Sequence, residues 1–135
     1  MNNEQWTMAY CPLFIVHCSL FLVLLTACGR TAPVVKIGLV GPFEGRYRPV
    51  GYDVIYSARL AIRESNLAGG IGPYRVALVA LDDGGDAELA QATAASLVID
   101  PAVVAVIGHW RPETTTAAAP VYQVAGLPFI STNEA

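Results

Sequence analysis

The stretch Val103–Thr116, VVAVIGHWRPETTT, passes from an apolar run through a glycine and a crowded loop into the start of a helix. Val103–Ile107 is short and rich in β-branched residues, the pattern of a buried parallel strand. Gly108 breaks it. His109, Trp110, Arg111 and Glu113 then place large functional groups in a loop, and Thr114–Thr116 open the next helix. In an open α/β sheet, ligands bind beyond the carboxyl ends of the strands, against helix N-termini. This loop is therefore the first place to look for a binding site.

Upstream of that strand, Ala87–Ile99 is an alanine-rich segment whose periodicity predicts a helix with Leu89, Thr93 and Leu97 on its inner stripe. Asp86 suits its N-cap and Glu88 its first turn. Asp100-Pro101 ends it, because the residue before proline is pushed out of helical geometry. Tyr74–Leu81, YRVALVAL, reads as a strand. The carboxylates that follow it, Asp82, Asp83 and Asp86, invite a metal or phospho-acceptor reading. An acidic pair of the receiver kind belongs after the first strand, so a structural role is expected here.

Further upstream, Val34–Val40 is the first strand, ended by Gly41-Pro42, and Phe43–Pro49 is a polar loop with Glu44, Arg46, Tyr47 and Arg48. That loop either helps to hold an anion or is simply solvated. Gly51–Asn66 has helical spacing at Val54, Ala58, Ala61 or Ile62, and Ser65, and Gly69-Gly70 stops it. Downstream, a helix over Thr114–Ala125 contains Pro120, which predicts a kink or break. Gly126 caps it, and Leu127–Ser131 is the fourth strand, with Pro128 at its edge or start.

The order βαβαβαβ predicts an α/β fold with a doubly wound parallel sheet and right-handed crossovers. A spatial order 2-1-3-4 places the switch point between the first and third strands. The loops Gly41–Val50 and Gly108–Thr114 then flank one crevice, with Ser131–Ala135 as its third wall.

The rest of the 135 residues divides at Cys28. Leu13–Ala27 is nearly all apolar, too short for a comfortable transmembrane helix, and fits the core of an export signal. Leu25-Thr26-Ala27-Cys28 resembles the lipobox of bacterial lipoproteins. Residues 1–27 are thus expected to be a signal peptide, Cys28 the lipidated residue, and residues 28–33 a tether. Lys and Arg are absent before Arg30, which departs from the usual positive start of such signals. An uncleaved anchor would leave the remainder outside the cytoplasm equally. Of the 3 cysteines, Cys11 and Cys18 fall inside the signal, so no internal disulfide or cysteine metal site is expected. From Cys28 onward, 8 basic side chains stand against 10 acidic ones. No basic patch forms, and nucleic acid is excluded as an expected partner.

Val35–Pro42, Asn66–Ile71, Leu81–Asp86, Val106–His109 and Gly126–Ser131 together resemble the N-terminal lobe of type I periplasmic substrate-binding proteins, of the branched-chain amino acid type that serves ABC transporters. The resemblance covers residues 34–135 as a partial N-terminal lobe and implies a truncated member of a two-lobe family, with an exposed sheet edge and marginal stability. It implies a non-enzymatic solute-binding component without cofactor. Such a protein closes on a small polar solute, an amino acid or amide, and delivers it to a membrane permease. The location implied is extracytoplasmic, with attachment to the membrane through a lipid anchor. A ligand-sensing lobe of a receptor or regulator is the alternative within the same fold, and an exported flavodoxin-like enzyme is the alternative outside it.

The family grips its ligand with backbone groups, Ser/Thr hydroxyls and an aromatic side chain. Here the serine position falls on Pro112, the threonine on Ala135 and the aromatic on Val50, so amino-acid specificity does not carry over. The ligand-binding candidates are Trp110, Arg111, Glu113, Thr114, Thr115 and Asn133. Trp110 either stacks on a ligand or packs under its loop. Arg111 either pairs with a carboxylate or is solvated. Glu113 either accepts an ammonium or favours the helix dipole. Thr114 and Thr115 cap the helix, donate to a ligand, or do both. His109 is expected to order the loop. Neither a hydrolase elbow, a phosphate loop nor a metal constellation is present in the sequence.

Overall fold

Strand β1, Val34–Gly41, lies at the centre of the sheet because its apolar side chains alternate over two covered faces. The computed structural model describes residues 31–131, and nearly all of these belong to one compact unit, Ala32–Ala135. The expected signal peptide, Cys28 and Asn133 lie outside the described residues. On one side β1 pairs in parallel with β2, Arg75–Asp82, in unbroken register from Val34↔Arg75 to Gly41↔Asp82. On the other it pairs with β3, Val103–Ile107, and β3 pairs with the short β4, Phe129–Ile130. The order is β2-β1-β3-β4, as the connectivity predicts.

The β1–β3 register shifts after Lys36↔Val103, so that Ile37 pairs with Ala105 and Val104 is the extra residue of a bulge. The inserted residue brings both Val103 and Val106 to the same buried cluster, and Val104 is left at the surface. β4 is shorter than Leu127–Ser131. Gly126 adopts φ 66°, and the Leu127 N–H folds back on the Tyr122 carbonyl at 2.9 Å, which ends the helix instead of extending the sheet.

Helix α1, Arg48–Leu67, begins earlier than its periodicity indicates. A 3-10 turn, Gly45–Tyr47, runs straight into it, and Pro49 occupies its first turn, where a missing N–H is harmless. Gly51 is its one buried residue. A Cβ there would lie 2.4 Å from the Pro42 carbonyl oxygen, so glycine permits the helix to approach the end of β1. At the other end, the Asn66 amide accepts from Val76 N at 2.9 Å and donates to Val76 O at 2.8 Å. A side chain thus takes the place of a neighbouring strand on the β2 edge.

Helix α2, Ala87–Val98, is capped by Asp86, whose Oδ1 accepts from Leu89 N at 2.9 Å. Its inner stripe is Ala90, Thr93, Ala94 and Leu97, and Leu89 is exposed, which corrects the expected stripe. Leu89 precedes Leu97 by eight positions, and at about 100° per residue the two end roughly 80° apart on the helix. Helix α3, Pro112–Ala125, starts two residues before Thr114 and continues through Pro120, which is exposed. The main core lies between α2, α3 and the sheet, at Val40, Ala94, Leu97, Val106, Ala118 and Tyr122. On the opposite face α1 covers β2, and beneath it is an apolar cavity of about 210 Å³ lined by Ile37, Ala58, Ile62, Val76, Leu78 and Ile107. At the foot of the sheet, Lys36 Nζ pairs with Asp100 at 2.7 Å. The hydrogen bond from Lys36, with a second from the Ala102 N–H, holds the Asp100 carboxyl below its ordinary range.

Candidate functional site

The first connection of the sheet leads from β1 away to β2, and the later ones lead back across β1 to β3 and on to β4. Right-handed crossovers then put α1 on one face and α2 and α3 on the other. In an open sheet of this order the loops after β1 and β3 diverge at the switch point, where ligands bind; here Trp110 and Arg111 span that crevice position. Gly108, the last residue before the loop after β3, has φ +124°, and a Cβ on it would lie 2.1 Å from the Val40 carbonyl oxygen. Only glycine lets β3 turn there so close to β1.

Trp110 is half-buried and covers the strand ends. Its ring edge lies 3.0 Å from where a Gly41 Cβ would stand and 3.2 Å from where a Gly108 Cβ would stand. Arg111 reaches across to the other two loops. Its guanidinium sits 4.3 Å from the centroid of the Tyr47 ring, in the loop after β1, and its stem packs on Gly85, in the loop after β2. Nη2 lies 3.2 Å from Glu113 Oε1, and the buried Nε has no hydrogen-bond partner among the described residues. The Tyr47 face meets part of this charge through the ring quadrupole. Arg46 lies 5.8 Å from the same ring, and Arg48 lies 4.8 Å from the Tyr52 ring. Glu113 is exposed, with 59% of its side chain accessible.

Thr114 and Thr115 are buried and their hydroxyls point inward. Thr114 Oγ1 donates to Arg111 O at 3.0 Å, and Thr115 Oγ1 contacts His109 O at 3.2 Å and Ser131 Oγ at 3.1 Å. Neither caps α3. The N-cap position is Arg111, whose side chain carries only donors and makes no cap bond, and Pro112 opens the helix where a missing N–H is harmless. Both threonines lie in the first turn, where they stitch the loop together. Of the positions that correspond to the family's gripping groups, Pro112 opens α3, Val50 is exposed on α1 and Ala135 lies outside the described residues.

His109 is wholly buried, with Nδ1 2.8 Å from Asp83 Oδ2 and Nε2 3.2 Å from the Tyr122 hydroxyl. It orders the loop, as expected. Its partners Asp83 and Tyr122 are not legible as such in the sequence, since they lie 26 and 13 positions away. Burial, and secondarily the Asp83 charge, raise the Tyr122 pKa above the ordinary phenol range, so the group stays protonated. The other acidic residues are structural. Asp82 Oδ1 accepts from the N–H groups of Phe43, Glu44 and Gly84 at 2.7, 3.3 and 3.0 Å, which ties the loop after β1 to the end of β2. Among the described residues no group of three or more His, Cys, Asp or Glu side chains is placed to hold a metal ion.

A family model described as periplasmic binding protein matches residues 34–135. The chain belongs to the periplasmic binding protein family. Among its relatives, an amino acid binding protein of Pseudomonas aeruginosa is 36% identical over 93 residues, which are 69% of this chain and 25% of that one. The leucine-specific-binding protein of Salmonella typhimurium is 32% identical over 110 residues, 82% of this chain and 30% of that one. Among solved structures, the Streptococcus pneumoniae branched-chain amino acid transporter substrate binding protein LivJ, in complex with isoleucine, superposes with a TM-score of 0.68 at 32% identity. A Desulfitobacterium hafniense ABC transporter substrate-binding protein in complex with Leu does so with a TM-score of 0.60 at 30% identity. Each match covers 73% of this chain and 28% of the solved one. This periplasmic binding protein chain therefore spans between a quarter and a third of the length of its relatives. The family match sets aside the flavodoxin-like enzyme.

Proposed function

We propose that the chain is the N-terminal lobe portion of an extracytoplasmic solute-binding component of an ABC transporter, and that it takes a small amino acid or amide. Two things support this: a loop of functional side chains at the β1–β3 switch point, and relatives of which one is named for leucine and one was solved in complex with isoleucine. In this reading Trp110 stacks on the solute's side chain. Arg111 and the N-terminal end of α3 face its carboxylate, and Glu113 faces its ammonium. Thr114 and Thr115 hold that end of the helix in place, and Asn133 is the further candidate on the third wall. The role is binding, followed by delivery to a permease. Residues 1–27 direct export, and Cys28 anchors the protein to the membrane through lipid, with residues 28–33 as tether.

An NMR titration of the full chain with L-leucine tests the reading. The portion of the family in hand encloses a solute from one side, so a Kd in the millimolar range, about −4 kcal/mol, is expected. Saturable shifts at Trp110 and Arg111 with L-leucine, and none with D-leucine, are the predicted result. Identical responses to both enantiomers, or none to either, would contradict it. Metabolic labelling with palmitate tests the anchor: wild type takes up label and Cys28→Ser does not.

A further inference from the structure

Beneath the crevice, three side chains from separate elements meet out of solvent. Asp83 lies just past β2, His109 just past β3 and Tyr122 in α3, and none is more than 1% exposed. A carboxylate only accepts hydrogen bonds. The proton between Asp83 Oδ2 and His109 Nδ1, 2.8 Å apart, is therefore on the imidazole. In the neutral ring Nε2 then accepts from the Tyr122 hydroxyl at 3.2 Å. The order hydroxyl, imidazole, carboxylate is that of a hydrolytic relay. Here the hydroxyl is buried and held protonated, so the chain of bonds holds instead of reacting.

Both ends are themselves fastened. Asp83 Oδ1 accepts from Gly85 N at 3.0 Å, and the Tyr122 ring packs on Phe129 of β4 with centroids 5.2 Å apart. The His109 carbonyl accepts from Thr115 Oγ1 and Ser131 Oγ, each at 3.2 Å. Trp110 and Arg111 are the next two residues along the chain. Where His109 is held, Trp110 over the strand ends and Arg111 across to Tyr47 start from a fixed point.

We propose that Asp83, His109 and Tyr122 are positioning residues of the site, a buried chain that sets the pose of Trp110 and Arg111 without touching the solute. The proposal rests on the reading of that loop as the solute-contacting one. A bond lost inside the chain leaves its buried partner one bond short, and the loop shifts toward poses in which that bond is regained from another group or water.

The test uses the full chain carrying Trp6→Phe, which leaves Trp110 as the one remaining tryptophan. Tyr122→Phe removes a single hydroxyl and keeps the ring that fills the core. It is expected to raise the population of displaced loop about fivefold, the fold-change of one buried hydrogen bond. The readout is stronger acrylamide quenching of Trp110 with an unchanged far-UV circular dichroism spectrum. His109→Asn retains a donor toward Asp83 and loses the contact to Tyr122. Combined with Tyr122→Phe it should quench no more than either change alone, because both remove the same bond. Asp83→Asn is a second route to the same displaced loop. Trp110 quenching that stays at the wild-type level in folded Tyr122→Phe and Asp83→Asn would overturn the proposal, as would simple additivity in the double variant. A titration with L-leucine separates the two ideas. Displaced Trp110 without any leucine response in wild type supports the positioning role and sinks the solute reading. Wild-type leucine binding that persists unchanged in variants with an unmoved Trp110 does the reverse.

Discussion

Both ring nitrogens and the carbonyl of His109, in the loop after β3, are engaged by buried partners on the loop after β2 and on α3 and by the half-buried Ser131 beyond β4. The loop after β1 has a lighter attachment: Asp82 Oδ1 gathers the N–H groups of Phe43 and Glu44, and Glu44–Arg46 are exposed. The two loops border the same crevice and meet where Arg111 lies over Tyr47. A satisfied buried network resists displacement, whereas half-exposed bonds exchange readily with water. The difference assigns geometry to the β3 side and adaptability to the β1 side. That division suits a site that must orient a small solute and still close around it.

The comparison breaks first at Asp83. Asp83→Ala leaves the His109 ring and the Gly85 N–H without their buried acceptor. Two N–H donors lose their acceptor, and a loss of about 2–4 kcal/mol is expected, measured by urea denaturation; a loss under about 1 kcal/mol would show the network to be slack. Gly108→Ala comes next. The added Cβ meets a backbone oxygen of β1 at a positive φ, and a cost of about 2 kcal/mol follows. Circular dichroism melts would show it as a lower Tm, and an unchanged Tm would mean that β3 can turn elsewhere.

Asp82→Ala sharpens the contrast on the β1 side. About 1 kcal/mol is expected, with faster hydrogen exchange at the Phe43 and Glu44 amides and little change in Trp110 emission. A large Trp110 response would show that the two loops move together. The smallest effect belongs to Asp100, remote from both loops. Its carboxyl lies below the unfolded value of 3.8 in the native state. Its contribution is therefore present above that value and is lost as pH falls through the lower native one. Asp100→Asn should remove this acid-side slope from the stability profile and leave Trp110 untouched. A persisting slope would assign it to other carboxylates.

The alternation and spacing of apolar residues made the strand–helix order and the sheet order legible, because each short apolar run is closed by a Gly, Pro or Asp signal. What escaped were features that depend on distant pairs. The bulge at Val104 is a property of two strands and leaves no local mark on one. The inner stripe of α2 shifted away from Leu89 because the sheet, not the helix, decides which face is covered. In the site, Trp110 and Arg111 were legible as large polar and aromatic groups in a strand-exit loop. The inward turn of Thr114 and Thr115 was not, since it follows from Pro112 starting the helix two residues early. Asp83 read as one of several carboxylates, and its pairing with His109 emerges only when β2 and β3 end side by side across β1.

The most direct measurement is the set of intermolecular nuclear Overhauser effects between the methyl groups of L-leucine and the full chain. The account predicts contacts to the Trp110 indole and to the loops that follow β1 and β3. Contacts confined to Ile37, Ile62 and Ile107, which line the apolar cavity under α1, would place the solute on the other side of the sheet and contradict it.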